Sequence, residues 1–167
     1  MSFDPDAVEV YIRSDEIFLG AYKAVMLQVR RGPLTLSMLD KIESFVRSVR
    51  AREGGGAYVG VLEETAEVAS GPVRQRQTAL YKELLTHERS WAVTIVAAAG
   101  PRAALLRTMM RVVAFANPRL AIVDRPIDAG RWLETHLKVP AREIAAYIEW
   151  GRTRRGSIMP SPKSADC

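Results

Sequence analysis

The chain has one cysteine, Cys167, and it is the last of 167 residues. A single thiol closes no disulfide within the chain and builds no thiolate metal site. Histidine is almost as scarce. His87 and His136 are the two, and no HxxH or HxxxH spacing sets a pair of imidazoles on one helix face as a zinc site would. No run of about 18 apolar residues occurs, so no membrane-crossing helix is expected. The opening stretch MSFDPDAVEV is acidic and lacks the basic segment that leads a secretory signal into its apolar core. A cytoplasmic location is the expectation, with no cofactor and no metal called for.

Free charge is also in short supply once it is located. The formal net charge is +5. Arg152, Arg154, Arg155 and Lys163 stand against one acid, Asp166, in residues 151–167, which leaves 20 basic and 18 acidic side chains in the first 150 residues. A nucleic-acid binder concentrates basic charge on a folded face or arm. Here the signal rests on the tail alone, so nucleic acid is not the expected partner. The size and the apolar content of 48% fit one soluble domain with one sizeable core.

What is present is a regular alternation of strand and helix patterns. The organising stretch is 90–124, which reads as strand, sharp turn, helix, short turn and strand, a βαβ unit. Before it, 8–13 alternates apolar and polar residues as a half-buried strand does, and the apolar run 17–28 reads as a second strand in an antiparallel hairpin. Gly20 inside that run suits a bulge. Thr35 caps a helix whose apolar face is Leu36, Leu39, Ile42, Phe45, Val46 and Val49, and Gly54-Gly55-Gly56 ends it. The triple glycine ends a helix instead of opening one after a strand, so it is not a phosphate loop.

Residues 57–62 form a third strand, 63–69 a loop, and Ser70-Gly71-Pro72 the head of a second helix reaching about Glu88. The fourth strand is 91–98. Gly100-Pro101 opens a third helix, and 120–123 is a fifth strand. Helices over 126–138 and 140–150 follow, with Ile144, Tyr147 and Ile148 on one face of the last. From Gly151 onward periodicity is lost, and 151–167 reads as a basic disordered tail. The expected fold is α/β, a mixed, mostly parallel five-stranded sheet in the order β-β-α-β-α-β-α-β-α-α, built as one domain over 1–150.

No catalytic constellation stands out. Ser70 and His87 lie at the two ends of one helix, roughly 25 Å apart at 1.5 Å per residue, beyond hydrogen-bond reach. Glu63 and Glu64 are adjacent loop acids of the kind usually solvated. Arg102, Arg107 and Arg111 line the third helix, where Arg102 could hold an anion or simply face water. That helix also carries a double apolar stripe, Leu105/Met109/Val112 and Leu106/Met110/Val113, wider than one sheet contact needs. Either the last helix covers it or another chain does, since exposed methionine and leucine patches mark interfaces. Leu105, Leu106, Met109, Met110 and Val113 are therefore candidate interface residues, for a protein partner or a second copy.

Four segments, taken in order, resemble the STAS/SpoIIAA-like superfamily. They are Gly32-Pro33-Leu34-Thr35 before the first helix, Ser70-Gly71 at the head of the second, Ala92–Ala99 followed by Pro101-Arg102, and Ile127-Asp128-Ala129-Gly130-Arg131-Trp132-Leu133. The likeness spans about residues 8–139. It implies a non-enzymatic bacterial signalling module that binds a protein partner. It also implies a phosphorylation site at Ser70, although Val68-Ala69 stand where the family places an aspartate, and the preceding loop carries Glu63, Glu64 and Glu67. The SEC14-like branch implies an alternative, a binder of a lipid or small apolar ligand, with the third-helix stripe lining its pocket.

Overall fold

The computed structural model describes residues 2–156, except for the side chains of Met109 and Val113. Its sheet has six strands in the order β1-β2-β3-β4-β5-β6. These are β1 Glu9–Arg13, β2 Ile17–Tyr22, β3 Val25–Arg30, β4 Gly56–Leu62, β5 Ser90–Val96 and β6 Leu120–Val123. The pairings β1/β2 and β2/β3 are antiparallel, and β3/β4, β4/β5 and β5/β6 are parallel.

The sheet is thus mixed, with six strands, and not the mostly parallel five-stranded sheet expected. The difference lies in residues 17–28, which do not form a single strand. Tyr22 pairs with Val25, so Lys23 and Ala24 make a two-residue turn and the run folds back on itself. Lys23 takes a positive φ of 53° there. The sequence shows no glycine, asparagine or aspartate to announce that turn. A register slip between Val10 and Ile12 leaves Tyr11 as the extra residue of β1, opposite Gly20 and Leu19. The bulge is therefore in the strand facing Gly20, whose backbone lies against it.

Five helices cover the sheet: α1 Leu36–Glu53, α2 Gly71–Thr86, α3 Pro101–Phe115, α4 Pro126–Glu134 and α5 Ala141–Thr153. Each parallel crossover steps one strand further in the same direction. A constant crossover hand then sets α1, α2 and α3 side by side on one face. The core under α1 and α2 joins Leu39, Ile42, Phe45, Val46, Val49 and Leu84 to Leu19, Met26, Tyr58 and Ala92 of the sheet. The other face carries α4 and α5, where Leu133, Ile144, Tyr147 and Ile148 meet Phe18, Leu27, Val59 and Ile95.

Local signals account for most boundaries. Thr35 Oγ1 accepts from the Met38 amide at 3.2 Å, and Gly54 closes α1 in the left-handed region at φ 66°. The last helix runs three residues past its expected end at 150. Beyond it, Gly156 donates to Asp15 Oδ1 at 2.9 Å and accepts from Arg13 Nε at 3.3 Å. Residues 151–156 are thus bound to the β1–β2 edge and are not tail. The remainder, 157–167, lies outside the described residues. Arg31 Nη2 donates to the Arg152 carbonyl at 2.7 Å and to that of Gly151 at 3.4 Å, satisfying carbonyls at the end of α5.

Candidate functional site

The third helix has an open apolar face. Ala103 is its one buried side chain among those described, while Leu106 and Met110 are half-buried. Leu105, Val112 and Phe115 are 63%, 71% and 95% exposed. The broad stripe read from the sequence therefore divides: Leu106 and Met110 lean inward, and Leu105 and Val112 face water with Phe115. The side chains of Met109 and Val113 lie outside the described residues. The last helix does not cover this face, because α5 packs on the opposite side of the sheet.

Two of the three arginines on α3 are occupied. Asp124 after β6 holds Arg107 Nε at 3.2 Å and Arg111 Nη2 at 3.0 Å. Arg107 also donates to the carbonyls of Val96 and Ala98, fixing the turn that leads into α3. Arg102 is exposed and makes no ion pair among the described residues. On α2, Arg74 and Lys82 stand exposed on one open helix face with Gly71, Gln75, Thr78 and Ala79. Exposed basic charge thus belongs to both α2 and α3.

Ser70 sits at the N-cap of α2 with extended backbone, exposed, and its hydroxyl makes no capping hydrogen bond. The hydroxyl is chemically free. The remaining candidates do not converge. His136 stacks on Trp91 with ring centres 5.2 Å apart and meets Trp132 edge-on at 4.7 Å. His87 ends α2, and its carbonyl accepts from Arg119 Nη1 at 2.7 Å. Glu63 is taken by Arg152, through Nε at 2.6 Å and Nη2 at 3.1 Å, while Glu64 is exposed. Among the described residues, no group of three His, Cys, Asp or Glu side chains is arranged to hold a metal ion.

One cluster escaped the sequence reading. Beneath α2, the sheet presents Gln28 and Arg30 of β3, Tyr58 and Gly60 of β4, and Thr94 of β5, with Tyr81 of α2 above them. The Tyr58 hydroxyl donates to Gln28 Oε1. The Tyr81 hydroxyl lies 3.3 Å from where a Cβ on Gly60 would be, a tight approach that a larger residue would meet only by shifting it. Burial pushes the Tyr58 phenol well above its ordinary range. Burial also raises Tyr81, against the hydroxyl of Thr94 beside it. The same loss of water lowers the Arg30 guanidinium, with the two phenols opposing that shift. The available signal was polar spacing: Gln28 and Arg30 are two apart, hence on one strand face, in an otherwise apolar run.

No protein-family model, curated protein or solved structure matches the chain.

Proposed function

We propose that the chain is a non-enzymatic, STAS-like regulatory module of the bacterial cytoplasm that binds a protein partner through the outer face of α3. The observation that carries this reading is that Leu105, Val112 and Phe115, the three most exposed large apolar side chains among the described residues, stand on one helix. A large exposed apolar patch marks an interaction surface. The partner is expected to be acidic around its apolar centre. The third helix carries Arg102, Arg107 and Arg111 against the single Asp124 that pairs with the last two, so two copies laid α3 on α3 would bring surplus positive charge together.

The resemblance adds a switch. A phosphate on Ser70 would carry close to −2 charge at the head of α2 and disturb a closely packed interface nearby. The free hydroxyl of Ser70 is compatible with modification.

The alternative, a lipid or apolar-ligand pocket, finds less support. The hollow enclosed by Val46, Tyr58, Leu80, Tyr81 and Leu84 holds about 10 Å³, against the several hundred that a ligand pocket needs.

Affinity capture from the source cell, with wild type beside Phe115→Ser and Ser70→Glu, tests the reading. A partner retained by wild type and lost by Phe115→Ser supports it. Capture unchanged by Phe115→Ser overturns the assignment to α3. Light scattering separates self-association, in which wild type alone would run as a dimer.

A further inference from the structure

Four arginines keep a guanidinium nitrogen buried without a hydrogen-bond partner: Arg30, Arg31, Arg50 and Arg154. Three have evident employment or a small deficit. Arg31 is likewise orphaned at Nε and Nη1, but its Nη2 holds the end of α5, and Glu63 and Asp15 lie near it. Arg154 lies over the Trp150 ring at 4.3 Å. Arg50 is orphaned at Nε alone. Arg30 differs. It is 5% exposed, both Nε and Nη1 are orphaned, and among the described residues its side chain makes no hydrogen bond and no ion pair. The titratable neighbours that act on it are the phenols Tyr58 and Tyr81, which burial keeps protonated and uncharged, with no carboxylate among them. A guanidinium is not deprotonated in a protein, so its charge stays, and an unpaired buried charge is costly.

The surroundings of Arg30 supply donors. Gln28 spends Oε1 on the Tyr58 hydroxyl, which leaves its Nε2 hydrogens to give. The Tyr81 hydroxyl is close by, over Gly60. Arg30 is the last residue of β3, paired with Leu62 at the end of β4. The place is the carboxyl end of the parallel strands, where α/β sheets collect their ligands. The cover is thin at that end: Leu84, the one fully buried side chain of α2, lies in its last turn, while Val73 and Gln77 nearer its head are half-buried.

We propose that Arg30 anchors a site for an oxyanion, the phosphate or carboxylate group of a small molecule, at the carboxyl ends of β3 and β4. Each two-pronged edge of the guanidinium includes one of the two orphaned nitrogens, and an oxyanion accepts from such an edge through two oxygens at once. Gln28 Nε2 and the Tyr81 hydroxyl complete the donor set. The site is independent of the α3 surface, and its failure leaves the partner reading untouched.

Thermal unfolding of the full chain tests it, in inorganic phosphate and separately in acetate, against chloride at matched ionic strength. Wild type, Arg30→Met and Arg30→Lys are compared. Phosphate or acetate should raise the wild-type midpoint in a saturable way. Arg30→Lys should bind at least tenfold more weakly, because an ammonium lacks the two-pronged edge. Arg30→Met should show no response, and in chloride it should be at least as stable as wild type, since it removes an unpaired buried charge. A response to phosphate alone, or to acetate alone, assigns the class of oxyanion and supports the site. Three results overturn it: no response to either anion, equal responses in wild type and Arg30→Met, or an Arg30→Met chain that is less stable than wild type in chloride or does not fold.

Discussion

The Glu143 carboxylate, in the first turn of α5, holds the Lys23 ammonium of the β2–β3 turn at 2.6 Å. Tyr22 adds its hydroxyl to the same oxygen at 3.1 Å. The acid is almost fully buried and the lysine partly exposed. The pair thus ties the turn that the sequence conceals to the helix that closes the fold. It also fixes Lys23 in its left-handed conformation, which a residue with a Cβ adopts at some cost.

Glu143→Ala should therefore destabilise the fold by about 1–3 kcal/mol, since it leaves a buried hydroxyl and an ammonium without their acceptor. The pH dependence has a defined sign. The hydrogen bond from Lys23 holds the Glu143 carboxyl below its ordinary value of 4.5. Its contribution is complete above that value and is lost as pH falls through the lower, folded one. Lys23 is raised above 10.5, chiefly by the same bond. Its contribution is complete below 10.5 and lost as pH rises through the folded value. Denaturant unfolding at pH 7 and at pH 3 checks this: the gap between wild type and Glu143→Gln should narrow at the acid end.

The exposed face of α3 makes the opposite prediction for stability. Val112→Ser and Phe115→Ser remove side chains that the fold does not bury, so each should change unfolding free energy by no more than about 0.5 kcal/mol. Partner capture should fall in the same variants. A loss of several kcal/mol by denaturant titration would place those side chains in the core instead.

Two helix heads should respond differently to loss of their hydroxyls. Thr35→Ala removes a formed cap and should cost about 1 kcal/mol. Ser70→Ala removes a hydroxyl that caps nothing and should cost less than about 0.5 kcal/mol. Parallel chemical denaturation of the two variants reads the difference directly.

Gly130 marks the closest approach of α4 to α5. A Cβ there would overlap the Ala141 backbone carbonyl, which cannot rotate away. Gly130→Ala should cost about 3 kcal/mol or more through overpacking, visible as a large fall in the unfolding midpoint. Alanine at the exposed Gly71, whose Cβ would meet nothing within 4 Å, separates this crowding from backbone strain.

Much of this architecture is legible in the residues. Period and punctuation locate α1 between Thr35 and Gly54, and proline marks the heads of α3 and α4. What is not legible depends on partners distant in sequence. The Lys23-Ala24 turn contains no turn-forming residue, because its conformation is supported from Glu143. The polar patch under α2 hides because Gln28, Tyr58, Tyr81 and Thr94 lie on four separate elements. The α3 stripe was visible as a surplus of apolar residues. Which half of it faces water was not, since that depends on the side of the sheet α5 chooses.

The strands stand in the sheet in the order in which they are synthesised. A nascent chain can thus add β4, β5 and β6 one after another to an existing edge. Its second face is different. Phe18, Leu27 and Val59 wait for Ile144, Tyr147 and Ile148, which follow every strand of the sheet. During synthesis the sheet is clad on one side first, and its other face stays open until α4 and then α5 leave the ribosome. A premature stop between α4 and Ala141 would release a sheet that lacks α5, with Phe18 and Leu27 open to aggregation.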